Sequence, residues 1–259
     1  MADMKHHLFT PPGQLALEAV MQRRPLLAFD FDGTLAPIVT KPDDARVSIG
    51  VAQRLAQLAE HLPVAIVTGR SVDDVAPRLG FDPHYIIGNH GAEDPEQPQL
   101  PPEVYTALTD KLNALRVKIE AHEAALSSVG IQVEDKRHSL ALHYRLARDR
   151  DAALVTIETL LRGLDPALTS FGGKCVVNVV AADAPDKGDA VAMLVKRSQS
   201  GAAMFTGDDL NDESAFESAE PHWLTVRIGR EDPLSRARYY LDTHSEVATM
   251  LQKMLALLR

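Results

Sequence analysis

Three short apolar runs in this chain of 259 residues stop abruptly at small and polar residues: Pro25–Phe31 before Asp32-Gly33-Thr34, Leu62–Val67 before Thr68-Gly69-Arg70, and Ala202–Phe205 before Gly207-Asp208-Asp209. Near-continuous apolar runs of this length read as strands buried on both faces, the pattern of a parallel sheet covered by helices on each side. Helical stripes alternate with them, at Val51, Leu55, Leu58 and Leu62 and again at Ala190, Val191 and Leu194. The expected fold class is therefore α/β, with a doubly wound parallel-sheet (Rossmann-like) core. In such a core, ligands bind outside the carboxyl ends of the strands. All three polar clusters fall at such ends.

The middle of the chain follows another rhythm. Residues 94–102 are dense in proline and lack periodicity, which suits a linker. A helix is expected from Glu103 to about Ser127. Alternating residues then predict hairpin strands over Ile131–Asp135 and Ser139–Leu146, turning at Lys136-Arg137-His138. Glu134 and Lys136 share one face of the first strand, and His143 and Arg145 one face of the second. A helix over Asp149–Leu164 and a last strand over Cys175–Val180 complete a small α+β unit. The organisation expected is a core of residues 1–98 and 181–259 with an inserted α+β cap domain over 99–180. Near the N-terminus a helix is expected from Pro12 to Gln22.

Composition narrows the ligand class. With 27 Lys+Arg against 36 Asp+Glu, a net charge of −9 and 5% aromatic residues, the chain lacks the dense cationic and stacking surface that nucleic acid selects. Residues 1–22 lack a continuous apolar stretch and no apolar run is long enough to span a membrane, so neither export nor membrane spanning is expected. The single cysteine, Cys175, cannot form an intramolecular disulfide, so a reducing, cytoplasmic setting is expected; the chain is separately expected to be a monomer. A small phosphorylated ligand is compatible, because it needs only a local group of cations or a bound metal.

Asp30 and Asp32 leave the first strand at i and i+2, and two acids so placed repel unless a cation intervenes; the alternative is an Asp-Gly turn with solvated side chains. The acidic stretch Gly207-Asp208-Asp209-Leu210-Asn211-Asp212-Glu213 is oxygen-rich enough to complete a Mg²⁺ site, or else it caps the helix that follows. Thr68-Gly69-Arg70-Ser71 offers a hydroxyl and backbone N–H groups to a phosphate, while Ser71 with Asp74 also resembles a capping box. Lys187 stands near a predicted helix start, where a cation opposes the helix dipole; it is a residue with a task elsewhere or a surface lysine.

In order along the chain, Asp30-Phe31-Asp32-Gly33-Thr34, Thr68, Lys187 and Gly207–Asp212 resemble the four motifs of the haloacid dehalogenase-like phosphatases. Within that superfamily the chain is similar to the trehalose-6-phosphate phosphatase family over nearly its whole length. The similarity runs through Gly88-Asn89-His90-Gly91-Ala92-Glu93, Val133–Lys136, Leu142–Arg145 and Gly173–Val177. The resemblance implies a Mg²⁺-dependent phosphoric monoester hydrolase acting on a small-molecule sugar phosphate, with functional coupling to a trehalose-phosphate synthase. It implies Asp30 as nucleophile and metal ligand, and Asp32 as general acid/base with its carbonyl on the metal. Asp208 would be a metal ligand, Asp209 and Asp212 would orient bound waters, and Thr68 and Lys187 would hold the phosphate. Substrate contacts are expected from Thr34, Gly69, Arg70 and His90 in the core and from Glu134, Lys136, Arg145 and Asn178 in the cap, with hinges near Pro98–Pro102 and Ala181–Pro185. The family carries a glutamate where this chain has Asn178, and a basic residue and proline where it has Val180-Ala181. The other readings are the same chemistry on a sucrose phosphate or glycosylglycerate phosphate, a phosphomutase, and a non-catalytic phosphoaspartate switch.

Overall fold

The computed structural model describes residues 6–96, 102–136, 139–230 and 233–258. Among them eleven strands follow in chain order: β1 (His6–His7), β2 (Leu26–Phe29), β3 (Val64–Val67), β4 (Tyr85–Ile87), β5 (Gln132–Asp135), β6 (Leu140–His143), β7 (Leu168–Gly173), β8 (Val176–Ala181), β9 (Ala203–Gly207), β10 (Leu224–Ile228) and β11 (Tyr239–Leu241). Seven form a parallel sheet in the order β1-β11-β10-β9-β2-β3-β4, and four form an antiparallel sheet in the order β5-β6-β8-β7. The chain accordingly divides into two compact units, one ending at Pro95 and resuming at Pro185, the other running Glu96–Ala184. The α/β core and the separate antiparallel insertion match the fold class expected from sequence.

In the first unit β2 is central, and Leu26, Leu27, Ala28 and Phe29 are wholly buried because helices cover both faces of a parallel sheet. From β2 the chain steps outward through β3 to β4; it returns later to β9, beside β2, and steps the other way to β10 and β11. Strand order thus reverses between β2 and β9, the switch point at which such sheets open a crevice. Helices Ile49–Ala59 and Val247–Leu257 pack on each other, and Leu55, Leu58, Met250 and Met254 on them are buried in the core. Ser48 starts the first of these by accepting a hydrogen bond from the Val51 amide. Neither the Val247–Leu257 helix nor strands β1, β10 and β11 were anticipated. The N-terminal helix runs Pro11–Met21, close to expectation.

In the second unit Leu140, Leu142 and Val179 share a core with Leu112, Leu115 and Ile119 of helix Pro102–Ala121 and with Ile157 and Leu160 of helix Arg150–Leu161. The hairpin forms as expected, but its second strand stops at His143, which leaves Arg145 in the turn beyond. The helix expected over Glu103–Ser127 is two, Pro102–Ala121 and Glu123–Ser128, because His122 between them takes φ −113° and ψ 8°. Strand β7 went unanticipated, since Leu168-Thr169-Ser170-Phe171-Gly172-Gly173 shows no apolar alternation and lies at a sheet edge. Cys175, expected to open the last strand, occupies instead the tight turn before it at φ 61°. Residues 97–101 of the expected linker and hinge, and Arg137 and His138 of the expected turn, lie outside the described residues. Among the described residues no helix is long and apolar enough to cross a membrane.

Candidate active site

Asp30 follows β2 directly, and its amide still donates to the Thr206 carbonyl of β9 at 2.9 Å. That bond carries the carboxylate into the switch-point crevice, where it is 5% exposed. Lys187 opens helix Lys187–Ser198, whose start is fixed by reciprocal hydrogen bonds between Asp186 and Asp189. Its ammonium is buried and donates to Asp30 Oδ1 and to Asp212 Oδ1, each at 2.7 Å. The other oxygen of Asp212 accepts the backbone N–H groups of Asp208 and Asp209 at 2.8 and 2.9 Å, which folds the acidic stretch back onto β9. Asp212, expected to orient bound waters, is therefore the second carboxylate on Lys187; Asp209 caps the turn through the Leu210 amide.

Carboxylate oxygens of Asp30, Asp208 and Asp212 lie within 4.8 Å of one another. Three carboxylates against one ammonium leave two formal negative charges in a buried space, and an all-oxygen donor set of this kind suits a hard divalent cation. Burial pushes the Asp30 carboxyl well above its ordinary range; Lys187 opposes this, while Asp212 and Asp208 add to it. Burial also works to strip the charge from Lys187, but Asp212 and Asp30 outweigh it and hold the ammonium above the usual lysine value. Close approach is built in at Gly33, where φ is +84° and a β-carbon would collide with the Asp208 carboxylate.

Asp32 is not part of that cluster. Its two oxygens accept from Arg70 Nε and Nη2 at 2.7 and 2.8 Å, a bidentate pair. Arg70 also donates to Asp74 Oδ2 at 2.7 Å and to the Pro42 carbonyl at 3.0 Å, and its guanidinium lies 5.2 Å from the centre of the Phe31 ring. Four of the five N–H donors an arginine owns are thereby engaged within the protein, so this residue, expected as a substrate contact, is here held by two carboxylates and a carbonyl. Ser71 caps helix Val72–Val75 through the Asp74 amide as expected, but the Asp74 side chain turns to Arg70 and Arg78 instead of closing a capping box.

Thr68 is fully buried at the end of β3, its Oγ1 accepting the Arg70 amide at 3.2 Å. Thr34 is also fully buried, and its hydroxyl has no hydrogen-bond partner. After β4 the backbone takes three consecutive positive φ values, 48° at Asn89, 61° at His90 and 119° at Gly91. Such a run is strained for side-chain-bearing residues, and Glu93 secures it: its Oε2 accepts from Asn89 Nδ2 at 2.8 Å and from the Val72 amide at 3.1 Å. The loop presses the His90 ring onto Gly69 so closely that a β-carbon there would strike it. Asp74 was read from sequence only as a capping-box partner of Ser71, and Asn89 and Glu93 were given no role. The signal for the last two was the family resemblance of the Gly88–Glu93 stretch.

In the second unit Glu134 stands opposite Ala141, Ala141 opposite Asn178 and Asn178 opposite Phe171, one row across the sheet face turned away from the helices. Glu134 Oε2 meets His143 Nε2 at 2.8 Å and Lys136 Nζ at 3.7 Å. Asn178 is buried and its side-chain nitrogen has no hydrogen-bond partner. Arg145 donates to the Lys174 carbonyl at 3.4 Å across the turn that holds Cys175.

Residues 28–242 match the model of the trehalose-phosphatase family. The chain is 30% identical over 236 residues to a trehalose-phosphate phosphatase of Mycobacterium marinum, which covers 87% of this chain and 60% of the relative. It is also 30% identical over 257 residues to one from Mycobacterium bovis, covering 93% and 64%. The chain thus spans somewhat over half the length of the curated relatives it matches. Among solved structures, the C-terminal domain of Candida albicans trehalose-6-phosphate phosphatase superposes with a TM-score of 0.79 at 21% identity, covering 97% of this chain and 98% of that one. At this identity the likeness speaks to the fold.

Proposed function

The chain belongs to the trehalose-phosphatase family, and from that premise we propose that it hydrolyses trehalose 6-phosphate to trehalose and inorganic phosphate, with Mg²⁺ as cofactor, through a covalent aspartyl-phosphate on Asp30. The observation that carries this reading is the Asp30 carboxylate at the switch point, oriented by buried Lys187, with a second carboxylate two residues on. Lys187 engages Oδ1, which leaves Oδ2 of Asp30 to attack phosphorus. As that bond forms, the bond from phosphorus to the sugar oxygen breaks and Asp32 supplies the oxygen with a proton. A water molecule then gives a proton to Asp32 as it displaces Asp30 from phosphorus, which restores both carboxyl groups. Two of the three N–H donors of Lys187 are used within the protein and the third is available to the phosphate, together with the hydroxyls of Thr34 and Thr68. Asp30, Asp208 and Asp212, with the Asp32 carbonyl, are the groups that would hold Mg²⁺, which when bound supplies the charge neutralisation an anionic nucleophile needs beside an anionic phosphate.

Recognition of the sugar is assigned to the inserted unit, through Glu134, Lys136, Arg145 and Asn178. Three of these positions fit the family pattern. Asn178 replaces a charged acceptor with a neutral amide that both donates and accepts, an observation that favours testing other disaccharide phosphates beside trehalose 6-phosphate. The experiment is phosphate release from trehalose 6-phosphate, sucrose 6-phosphate, glucose 6-phosphate and an aryl phosphate, with and without Mg²⁺, and with Asp30→Asn as control. Mg²⁺-dependent release from trehalose 6-phosphate that vanishes in the variant is the expected result. Release from a different sugar phosphate alone would retain the chemistry and replace the substrate, whereas release from none would overturn the reading.

A further inference from the structure

We propose that Arg70 is the positioning residue of Asp32: it holds the carboxylate at rest, and the reaction proceeds each time Asp32 leaves that grip and returns to it. The inference rests on the acid/base role given to Asp32 above. Arg70 is anchored from behind by Asp74, by the Pro42 carbonyl and by the Phe31 ring. Asp74 is itself held by Arg78, and Arg78 donates to the Asp43 carbonyl at 2.6 Å, so the guanidinium is tied to both the 42–44 turn and helix Val72–Val75. Asp32 is the loose member of the pair, with its side chain 45% exposed against 11% for Arg70. When the pair opens, the carboxylate moves and the arginine stays.

Two features of the geometry give this motion a purpose. Both Asp32 oxygens accept N–H groups of Arg70, so the held group is a carboxylate: when the pair opens it takes a proton from solvent water, passes it to the leaving oxygen, regains one from the attacking water, and yields that one to solvent as it returns to Arg70. Once the proton has been given up, a carboxylate remains, and the rigid fork returns it to one orientation. A second cation also prevents a conflict. Two carboxylates two residues apart with one ammonium between them would compete for Lys187, and Asp32 on Lys187 would displace the proposed nucleophile. Arg70 keeps the acid/base away from the cation that orients Asp30.

The test is a mutant cycle read with the full chain in Mg²⁺ on the sugar phosphate it hydrolyses best. Arg70→Gln is expected to lower kcat by about 10²-fold, the scale of a misplaced catalytic group, with KM within about threefold. In the Asp32→Asn background the same substitution is expected to change kcat no further, because residues that act as a unit do not lose activity twice. Losses that multiply overturn the proposal. So does a rise in KM matched by weaker inhibition by inorganic phosphate, which is what an arginine on the phosphate would give. Asp74→Asn, which loosens Arg70 without touching Asp32, decides the matter if Arg70→Gln does not fold: its smaller loss, about tenfold, must likewise vanish in Asp32→Asn. If the unaltered protein releases phosphate from no sugar phosphate, the functional reading has failed first and the proposal falls with it.

Discussion

Two triads of the same plan stand at the end of β2. In one, Lys187 bridges Asp30 and Asp212; in the other, Arg70 bridges Asp32 and Asp74. Each is an acid, a base and an acid, and the first acids are two residues apart. They differ in water. Side-chain exposure is 7%, 1% and 0% for Asp30, Lys187 and Asp212, against 45%, 11% and 37% for Asp32, Arg70 and Asp74. Opening a buried ion pair strands charges in a poorly solvated space, whereas water takes over the contacts of an exposed one. The first triad is therefore a frame and the second an exchangeable contact, which is what a fixed nucleophile and a travelling acid/base require.

The largest expected effect follows from breaking the frame. Lys187→Met leaves Asp30, Asp208 and Asp212 without their ammonium, and loss of one partner of a buried pair costs about 3–5 kcal/mol. Denaturant unfolding in chelator should report that loss, and Mg²⁺ should recover part of it by replacing the missing charge. Arg70→Gln, measured the same way, should cost about 1 kcal/mol. Equal losses for the two variants would dissolve the distinction between frame and contact.

Next in size is cation binding. A ligand that binds only the folded state adds about 2.7 kcal/mol at a hundredfold excess over its Kd, so Mg²⁺ should raise the Tm of the protein. Asp208→Asn removes one charged oxygen donor of the cluster, and the Mg²⁺ concentration needed for half of that shift should rise about 10–100-fold. Asp74→Asn should leave it unchanged, since Asp74 serves the other triad. A Tm that ignores Mg²⁺ would remove the metal from the cluster.

The triads should also answer pH in opposite directions when no metal is bound. Burial first, then Asp212 and Asp208, raise the Asp30 pKa against the pull of Lys187. The folded state then holds a proton more tightly than the unfolded chain, and stability falls as pH rises from about 4 through the folded value. Asp74 has the reverse sign: burial opposes it, but Arg70 and Arg78 prevail and lower its pKa. Its contribution is complete above about pH 4, the unfolded value, and is lost as pH falls through the folded one. Unfolding curves across pH 3–7 for Asp30→Asn and Asp74→Asn should each lose one of these slopes. Loss of the same slope in both would break the comparison.

Part of the site was legible because several of its acids and hydroxyls end apolar runs, and a buried parallel strand delivers whatever follows it to one edge of the sheet. Asp30, Thr68 and Asp208 were found that way. The partnerships were not legible. Arg70 lies 38 positions from Asp32, and Lys187 lies 157 from Asp30, so which cation meets which acid depends on strand order and helix placement. The expectation that Arg70 contacts substrate came with the family resemblance; only the folded loop brings Asp32 and Asp74 to it. In the inserted unit the alternation that marks β5 and β6 fails at β7, where two glycines and polar residues sit at an edge that packs on one side alone.

The smallest expected effect lies in a group of charges on the antiparallel sheet. Glu134, with its side chain 51% exposed, meets His143 at 2.8 Å and Lys136 at 3.7 Å, and such contacts contribute little to folding. Glu134→Gln should change unfolding free energy by less than about 0.5 kcal/mol. If this face reads sugar hydroxyls, the same substitution removes one charged acceptor, worth about 1.5–3 kcal/mol when fully used. KM for the disaccharide phosphate should then rise about tenfold or more, while an aryl phosphate, which has no sugar to read, should show no change. Stability and specificity would part company here, as they do not at Lys187. An equal change for both substrates would mean that Glu134 acts through the fold of its unit, and sugar recognition would have to be sought on other residues of that sheet.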